Sequence, residues 1–202
     1  MAETITVTAH LDTPSIGLDT HPLMLDGPLA WAYAMHTKAH GGKLPAITAA
    51  NAPDLPLPLA THHVGEVWVW ATSRAALDAV AYTSVQVRRK PATGPMARFA
   101  PDRKHHAGLG PFKARDATLS ATWITRADWV IECTDQPLLE ALLTHITHLG
   151  ARHRNGFGHV HRWTIDSGAD RAWTDRPMPH PDGAPCGIRA PYWHHTRRHP
   201  CR

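Results

Sequence analysis

The alternation of apolar and polar positions predicts several strands. Residues 4–11 and 82–89 alternate with a period of two, which is typical of half-buried strands. Residues 64–72 and 117–133 also have strand character, the second with a break near residues 126–128, and residues 159–165 predict a last strand.

Two segments have helical spacing of their apolar residues. Residues 28–35 predict a helix that has a proline in its first turn and is ended by Gly41 and Gly42. In residues 136–149, leucines and isoleucines recur every three or four positions, which predicts the clearest helix of the chain. Asp135 is placed to cap it. The element order, with the insertion described next, indicates a ferredoxin-like (RRM-like) α+β core.

Two regions interrupt or follow this pattern. Residues 90–116 show no apolar periodicity, and a loop of this length inside a domain is usually functional or mobile. Residues 166–202 are rich in Pro, Arg and His and predict an irregular tail that is ordered mainly by its partners. We therefore expect a domain over residues 1–165, with an insertion at 88–116, and a C-terminal extension over 166–202.

Composition limits the class of protein. The chain has 202 residues with 43% hydrophobic content, which suits one globular domain with a core. No apolar run is long enough for a membrane span, and the N-terminus lacks the pattern of a signal peptide. The three cysteines Cys133, Cys186 and Cys201 are far apart, which argues against a disulfide framework and favours a reducing cytoplasm. We expect no metal and no cofactor.

Positive charge is concentrated in two blocks. Residues 1–87 hold three Lys or Arg against seven acidic residues, whereas residues 88–115 hold eight against one. Residues 150–202 hold nine against four. This asymmetry is typical of a nucleic-acid-binding protein, although a solvated basic surface is the alternative.

The segment 150–160 combines three glycines with two arginines, two histidines and an asparagine. It lies between the clearest predicted helix and the last predicted strand. Glycine lets the backbone approach a ligand closely, and the arginine guanidinium suits phosphate. The segment therefore predicts a contact with a polyanion backbone, and RNA is the favoured polyanion.

On these residues, segment 149–160 resembles the glycine-rich loop of the RAMP superfamily of CRISPR-associated RNA-binding proteins. Segment 22–31 resembles the entrance to the first helix of such subunits. The length, the single glycine loop and the single basic insertion resemble the small subunit that grips the 5′ handle of the guide RNA, and type IV effector complexes offer the best match.

The resemblance implies roles for named residues. The basic insertion would be a thumb that folds over the guide RNA. Arginines and lysines would contact phosphates, aromatic side chains would stack on or splay bases, and Asn155 would read a base edge or cap the turn. The RNA-binding residues would be Arg88, Arg89, Lys90, Arg98, Phe99, Arg103, Lys104, Phe112, Lys113, Arg115, Gly150, Arg152, Arg154, Asn155, Gly156 and Gly158.

Several of these features have a plainer structural interpretation. Gly150 also suits the end of a helix, and Asn155 with Gly156 suits a tight turn. Phe157 favours the core, and Asp26 suits a helix N-cap more than a catalytic acid. Residues 68 and 70 are tryptophans on one strand face, where packing is favoured over base stacking.

An enzymatic alternative also follows from the resemblance, because some relatives cleave precursor guide RNA without a metal. Lys104, His105 and His106 could supply acid–base groups and stabilise the phosphate, and His10, His153 and His159 are further candidates. With 17 histidines in the chain, however, chance clusters are common.

The resulting hypothesis is a non-catalytic, cytoplasmic RNA-binding subunit of a CRISPR ribonucleoprotein that serves antiviral defence. Its implied partners are the guide RNA 5′ handle, the backbone subunits whose filament it caps, the large subunit and possible target nucleic acid, with no membrane. The alternative is a metal-independent endoribonuclease that processes CRISPR repeat RNA.

Overall fold

The main sheet has four antiparallel strands. The structure is a computed structural model that describes residues 2–89 and 115–202. The strand order of the sheet is β4-β5-β1-β6. With one helix after β1 and another after β5, this α+β arrangement is compatible with the predicted ferredoxin-like core. The elements are β1 (Glu3–Leu11), α1 (Asp26–Ala39), β2 (Thr61–Val64), β3 (Val67–Trp70), β4 (Ala76–Arg89), β5 (Arg115–Cys133), α2 (Gln136–Leu143), β6 (Val160–Ser167), β7 (Pro179–Gly187) and β8 (Arg198–Cys201).

Both helices cover the same face of this sheet. Val7 of β1 and Trp129 of β5 are fully buried there, against Leu29 of α1 and Leu139 of α2. The opposite face carries the alternate residues of β1, such as Thr6. Most residues of β5 and β6 that pair with these positions are polar or charged. No helix in the described part of the chain is long and apolar enough to cross a membrane.

Helix α2 is shorter than its apolar periodicity predicts. It begins as expected, with Asp135 accepting a hydrogen bond from the Leu138 amide at 3.0 Å. It ends at Leu143, where the amides of His145 and Ile146 donate to the carbonyls of Leu142 and Leu143 in a tighter turn, and the chain then contacts β6. The indole of Trp163 donates to the Ile146 carbonyl at 3.0 Å, and the Val160 amide donates to the Thr147 carbonyl at 2.9 Å.

Two strand predictions also need correction. The predicted strand 64–72 is instead the second half of a hairpin, β2–β3, which turns at Gly65 in the left-handed region (φ +62°). At the expected break near residues 126–128, β5 continues and pairs with β1, but its pairing with β4 shifts register between Arg126 and Ile124. The tryptophans of β3 pack edge to face, 4.9 Å apart, as the packing interpretation predicted.

The tail is not irregular, and much of it is ordered by contacts with its own chain. Strands β7 and β8 pair with each other, and a disulfide joins Cys186 to Cys201, contrary to the expectation from cysteine spacing. The guanidinium of Arg176 donates to the carbonyl of Trp70 at 2.8 Å. His194 is also buried and bonds to the carbonyl of Thr48 at 2.9 Å.

Asp26 anchors this tail and does not cap α1. It is fully buried in the first turn of the helix, and the residue at the N-cap position is Leu25. Its carboxylate accepts hydrogen bonds from the Tyr192 hydroxyl and, at 2.9 Å, from the Ala190 amide. Burial raises the pKa of Asp26, although nearby Arg176 and these hydrogen bonds oppose the shift.

Candidate nucleic-acid interface

The glycine-rich loop, residues 149–160, is closed at its base and fixed to the segment that follows β1. The Leu149 amide donates to the Gly158 carbonyl at 2.8 Å, which closes the loop. The Gly158 amide donates to the Pro14 carbonyl, also at 2.8 Å. The Ala151 amide makes the same contact, at 2.8 Å, with the carbonyl of Ile16. The loop backbone is therefore positioned before any ligand binds.

Two of its glycines permit this close packing. A Cβ on Gly158 (φ +69°) would lie 1.9 Å from the Leu149 carbonyl oxygen, and one on Gly150 (φ +90°) would lie 2.8 Å from the Ile16 carbonyl oxygen. Their close approach is thus to the protein's own backbone. The interpretation of Gly150 as a helix terminus is wrong, because α2 ends seven residues earlier.

The tip of the loop presents its basic side chains to solvent. Arg152, Arg154 and Asn155 are all exposed. Arg152 adopts a left-handed conformation (φ +61°), and residues His153–Asn155 form a 3₁₀ turn that ends at left-handed Gly156. Asn155 and Gly156 therefore do form the tight turn expected of them. This turn projects two guanidinium groups and one amide from a fixed base.

Residues 12–16, which we call the connecting segment, also bind the long β4–β5 hairpin. The Ser15 amide donates to the Thr122 carbonyl and the Thr122 amide donates to the Ser15 carbonyl, both at 2.8 Å. The Thr122 hydroxyl donates to Asp19 at 2.7 Å. One short segment thus holds the glycine loop on one side and this hairpin on the other.

The outer part of the hairpin carries the ends of the predicted thumb. β5 pairs with β1 only from Arg126 onward, whereas its pairing with β4 continues out to Arg89 and Arg115. At about 3.3 Å per residue, a two-stranded ribbon of about 36 Å extends past the β1 pairing. Exposed Arg88 on this ribbon pairs with Asp116 at 2.9 Å.

A basic stripe crosses the sheet face that the helices leave open. His10 of β1 lies opposite Arg126 of β5 and opposite Arg162 of β6 in the strand register. Arg162 lies two residues into β6, directly after the glycine loop. Arg126 pairs with Asp128 at 3.0 Å. Partial burial lowers the pKa of His10, and the nearby charge of Arg162 lowers it further.

A group of histidines lies at the base of the glycine loop. His148 and His159 pair across an isolated bridge, with ring centroids 5.1 Å apart, and the His153 ring is 6.4 Å from that of His148. The His159 ring bonds to Asp12 at 2.8 Å, which lowers the pKa of that carboxyl. Partial burial and the two other histidines lower the pKa of His148.

The structure brings together only part of the predicted site. Arg88 and the backbones of Arg89 and Arg115 lie on the ribbon, and the six loop residues lie together at the glycine loop. Among residues 2–89 and 115–202, no three His, Cys, Asp or Glu side chains form a group suited to a metal ion. The other predicted residues lie outside the described residues, namely Lys90, Arg98, Phe99, Arg103, Lys104, His105, His106, Phe112 and Lys113.

Sequence reasoning missed the basic stripe. His10 was considered only as a catalytic candidate, and Arg126 and Arg162 were not singled out. Their alignment depends on the register of three strands, which a single sequence does not reveal. The signal available was the alternation of β1 and β6, which places His10 and Arg162 on one face of each strand.

Residues 103–202 match a family model described as CRISPR type IV associated protein Csf3. This match supports a type IV CRISPR-associated subunit. No curated protein matches the chain.

Proposed function

We propose that this chain grips the 5′ handle of the guide RNA in a type IV CRISPR ribonucleoprotein and caps its filament of backbone subunits without cutting RNA. The observation that carries the proposal is the connecting segment. It bonds to the glycine loop through Pro14 and Ile16 and to the ribbon through Ser15. The two predicted RNA-contacting elements therefore share one rigid support, as is required of two elements that hold the same RNA strand.

The chemistry of the loop supports binding to a phosphate backbone. Exposed Arg152 and Arg154 can each present a planar fork of donors to phosphate oxygens. Arg162 and His10 continue the basic surface across the open face of the sheet. Because the loop backbone is already ordered by its own hydrogen bonds, little conformational entropy is lost there on binding.

Photo-crosslinking tests this placement. The protein is bound to CRISPR repeat RNA containing 4-thiouridine in the handle, irradiated, digested and mapped by mass spectrometry. We expect crosslinked peptides from the glycine loop and from the β4–β5 hairpin. Crosslinks confined to β7–β8 would contradict the proposal.

The same RNA distinguishes gripping from cutting. Incubation in EDTA should leave the repeat RNA intact while the complex persists on a native gel. Metal-independent cleavage that is lost in His105→Ala or His106→Ala would establish the endoribonuclease alternative instead. For variants that remove arginines from the glycine loop, the matched control in the binding assay is Arg198→Ala with Arg202→Ala, which removes two exposed arginines near residue 202.

A further inference from the structure

An apolar groove lies away from the glycine loop, between α1, residues 44–57 and residues 190–193. Its volume is about 470 Å³, and all of its lining residues are uncharged. One wall is a single face of α1, where the lining positions recur every three or four residues. Its lining includes Trp31, Ala34, Leu44, Ile47, Tyr192 and Trp193.

Polar contacts, one set of them on the buried carboxylate of Asp26, fix the opposite wall. Asp26 holds Tyr192 and the Ala190 amide. Asp54 pairs with Arg189 at 3.1 Å and with Arg197 at 2.8 Å, which ties this wall to residues 44–57. Because the Asp54 side chain is 33% exposed, these ion pairs contribute little net stability. The network instead holds the groove in one geometry, so the groove is formed in advance of any partner.

Three large apolar side chains at the groove remain in contact with solvent. Trp31 is 52% exposed, Ile47 is 50% exposed and Trp193 is 72% exposed. Contiguous apolar surface of this kind marks an interaction site, and tryptophan is enriched among the residues that dominate protein–protein binding. A rigid groove with two exposed tryptophans suits the insertion of apolar side chains.

The charges beside the groove indicate which charge a partner should carry. Lys38 lies one helical turn past Ala34 on the same face of α1, and Lys43 directly precedes Leu44. Within the described ranges, neither lysine pairs with a carboxylate. This end of the groove therefore favours negative charge, while the groove itself offers no cation along which a nucleic-acid backbone could run.

We propose that the groove docks a segment of another protein subunit of the same complex, which inserts apolar side chains and places carboxylates near Lys38 and Lys43. This proposal rests on membership of a type IV CRISPR complex but not on the RNA contacts of the glycine loop. Its failure can therefore be separated from failure of the proposed RNA function.

A photo-crosslinking amino acid locates the occupant directly. p-Benzoylphenylalanine is placed at position 47 or 193 in cells that express the complete set of complex subunits, and the irradiated complex is purified. We expect a crosslink to one other protein subunit at both positions and none from the control position 182, which is exposed in β7. Crosslinks to RNA, crosslinks to a second copy of this chain, or no crosslinks would each overturn the proposal.

Substitutions then test the apolar and the charged contacts proposed for the groove. Trp193→Ala should reduce recovery of the crosslinked subunit by about tenfold or more, as expected for a dominant interface residue. Lys38→Glu with Lys43→Glu should also reduce it, with a greater effect at low salt. The matched control is Asp182→Ala, at the exposed position of β7 that also serves as the crosslinking control. Unchanged recovery in both groove variants, with unchanged melting temperatures, would overturn the proposal.

Discussion

The carbonyl oxygen of Leu149 lies where the side chain of Gly158 would begin. A Cβ there would be 1.9 Å from that oxygen, and the same two residues close the glycine loop through a 2.8 Å hydrogen bond. The base of the loop thus depends on the missing side chain at this one position.

Gly158→Ala should therefore destabilise the fold and displace the loop. The left-handed conformation costs about 1–2 kcal/mol, and the clash adds about 1–3 kcal/mol. Chemical denaturation measures the change. Gly156→Ala is the matched control, because Gly156 is also left-handed but a Cβ added there would meet no atom within 4 Å. We therefore expect only the conformational cost for this variant. Equal effects of the two variants would contradict this explanation.

The contact between Tyr192 and Asp26 predicts a second effect. Tyr192→Phe removes a donor from a buried carboxylate, so the free energy of unfolding should fall by about 1–3 kcal/mol. Loss of that donor should also raise the pKa of Asp26 further, because the hydrogen bond opposes the effect of burial. Urea denaturation provides the measurement. Tyr82→Phe, at a residue that is 73% exposed, should change stability by less than about 0.5 kcal/mol.

The disulfide predicts a redox dependence of stability. It closes a loop of 15 residues, for which the chain-entropy estimate is about 3 kcal/mol. Denaturation with and without a phosphine reductant should show this difference in the wild-type protein. The variant Cys186→Ser with Cys201→Ser should be insensitive to the reductant. An equal loss of stability on reduction of the double variant would contradict the role of the disulfide.

The lowered pKa of His148 predicts opposite effects of acid on stability and on binding. As the pH falls through the usual histidine value of 6.5, the unfolded chain takes up the proton first, so folded stability decreases. RNA phosphates favour the imidazolium, so RNA affinity should increase between about pH 7.5 and about pH 5.5. Fluorescence anisotropy measures the affinity. His148→Gln should show a weaker pH dependence, and affinity that falls on acidification would contradict the prediction.

The sequence predicted most elements of the core because burial follows local periodicity. Strand β1 and the start of α2 at its Asp135 cap are confirmed. The end of α2 could not be predicted, because the residues that follow it contact β6, as in the hydrogen bond from Trp163 to the Ile146 carbonyl. Such long-range contacts leave no trace in local spacing.

The candidate site was predicted only where it is local. The glycine loop is contiguous in sequence, so its composition was visible. The stripe through His10, Arg126 and Arg162 depends on strand register. The tail appeared irregular because its order comes from polar contacts, such as that of Arg176 with Trp70, and from a disulfide whose partners have no characteristic spacing.

The most direct measurement of RNA gripping is the salt dependence of RNA affinity. Each phosphate contact on single-stranded RNA contributes about 0.7 to the slope of log affinity against log salt. Arg152→Ala with Arg154→Ala should therefore reduce that slope by about 1.4, if each arginine contacts one phosphate. The control Arg198→Ala with Arg202→Ala should retain the wild-type slope. A slope unchanged by loss of Arg152 and Arg154 would contradict a role of the glycine loop in holding the RNA backbone.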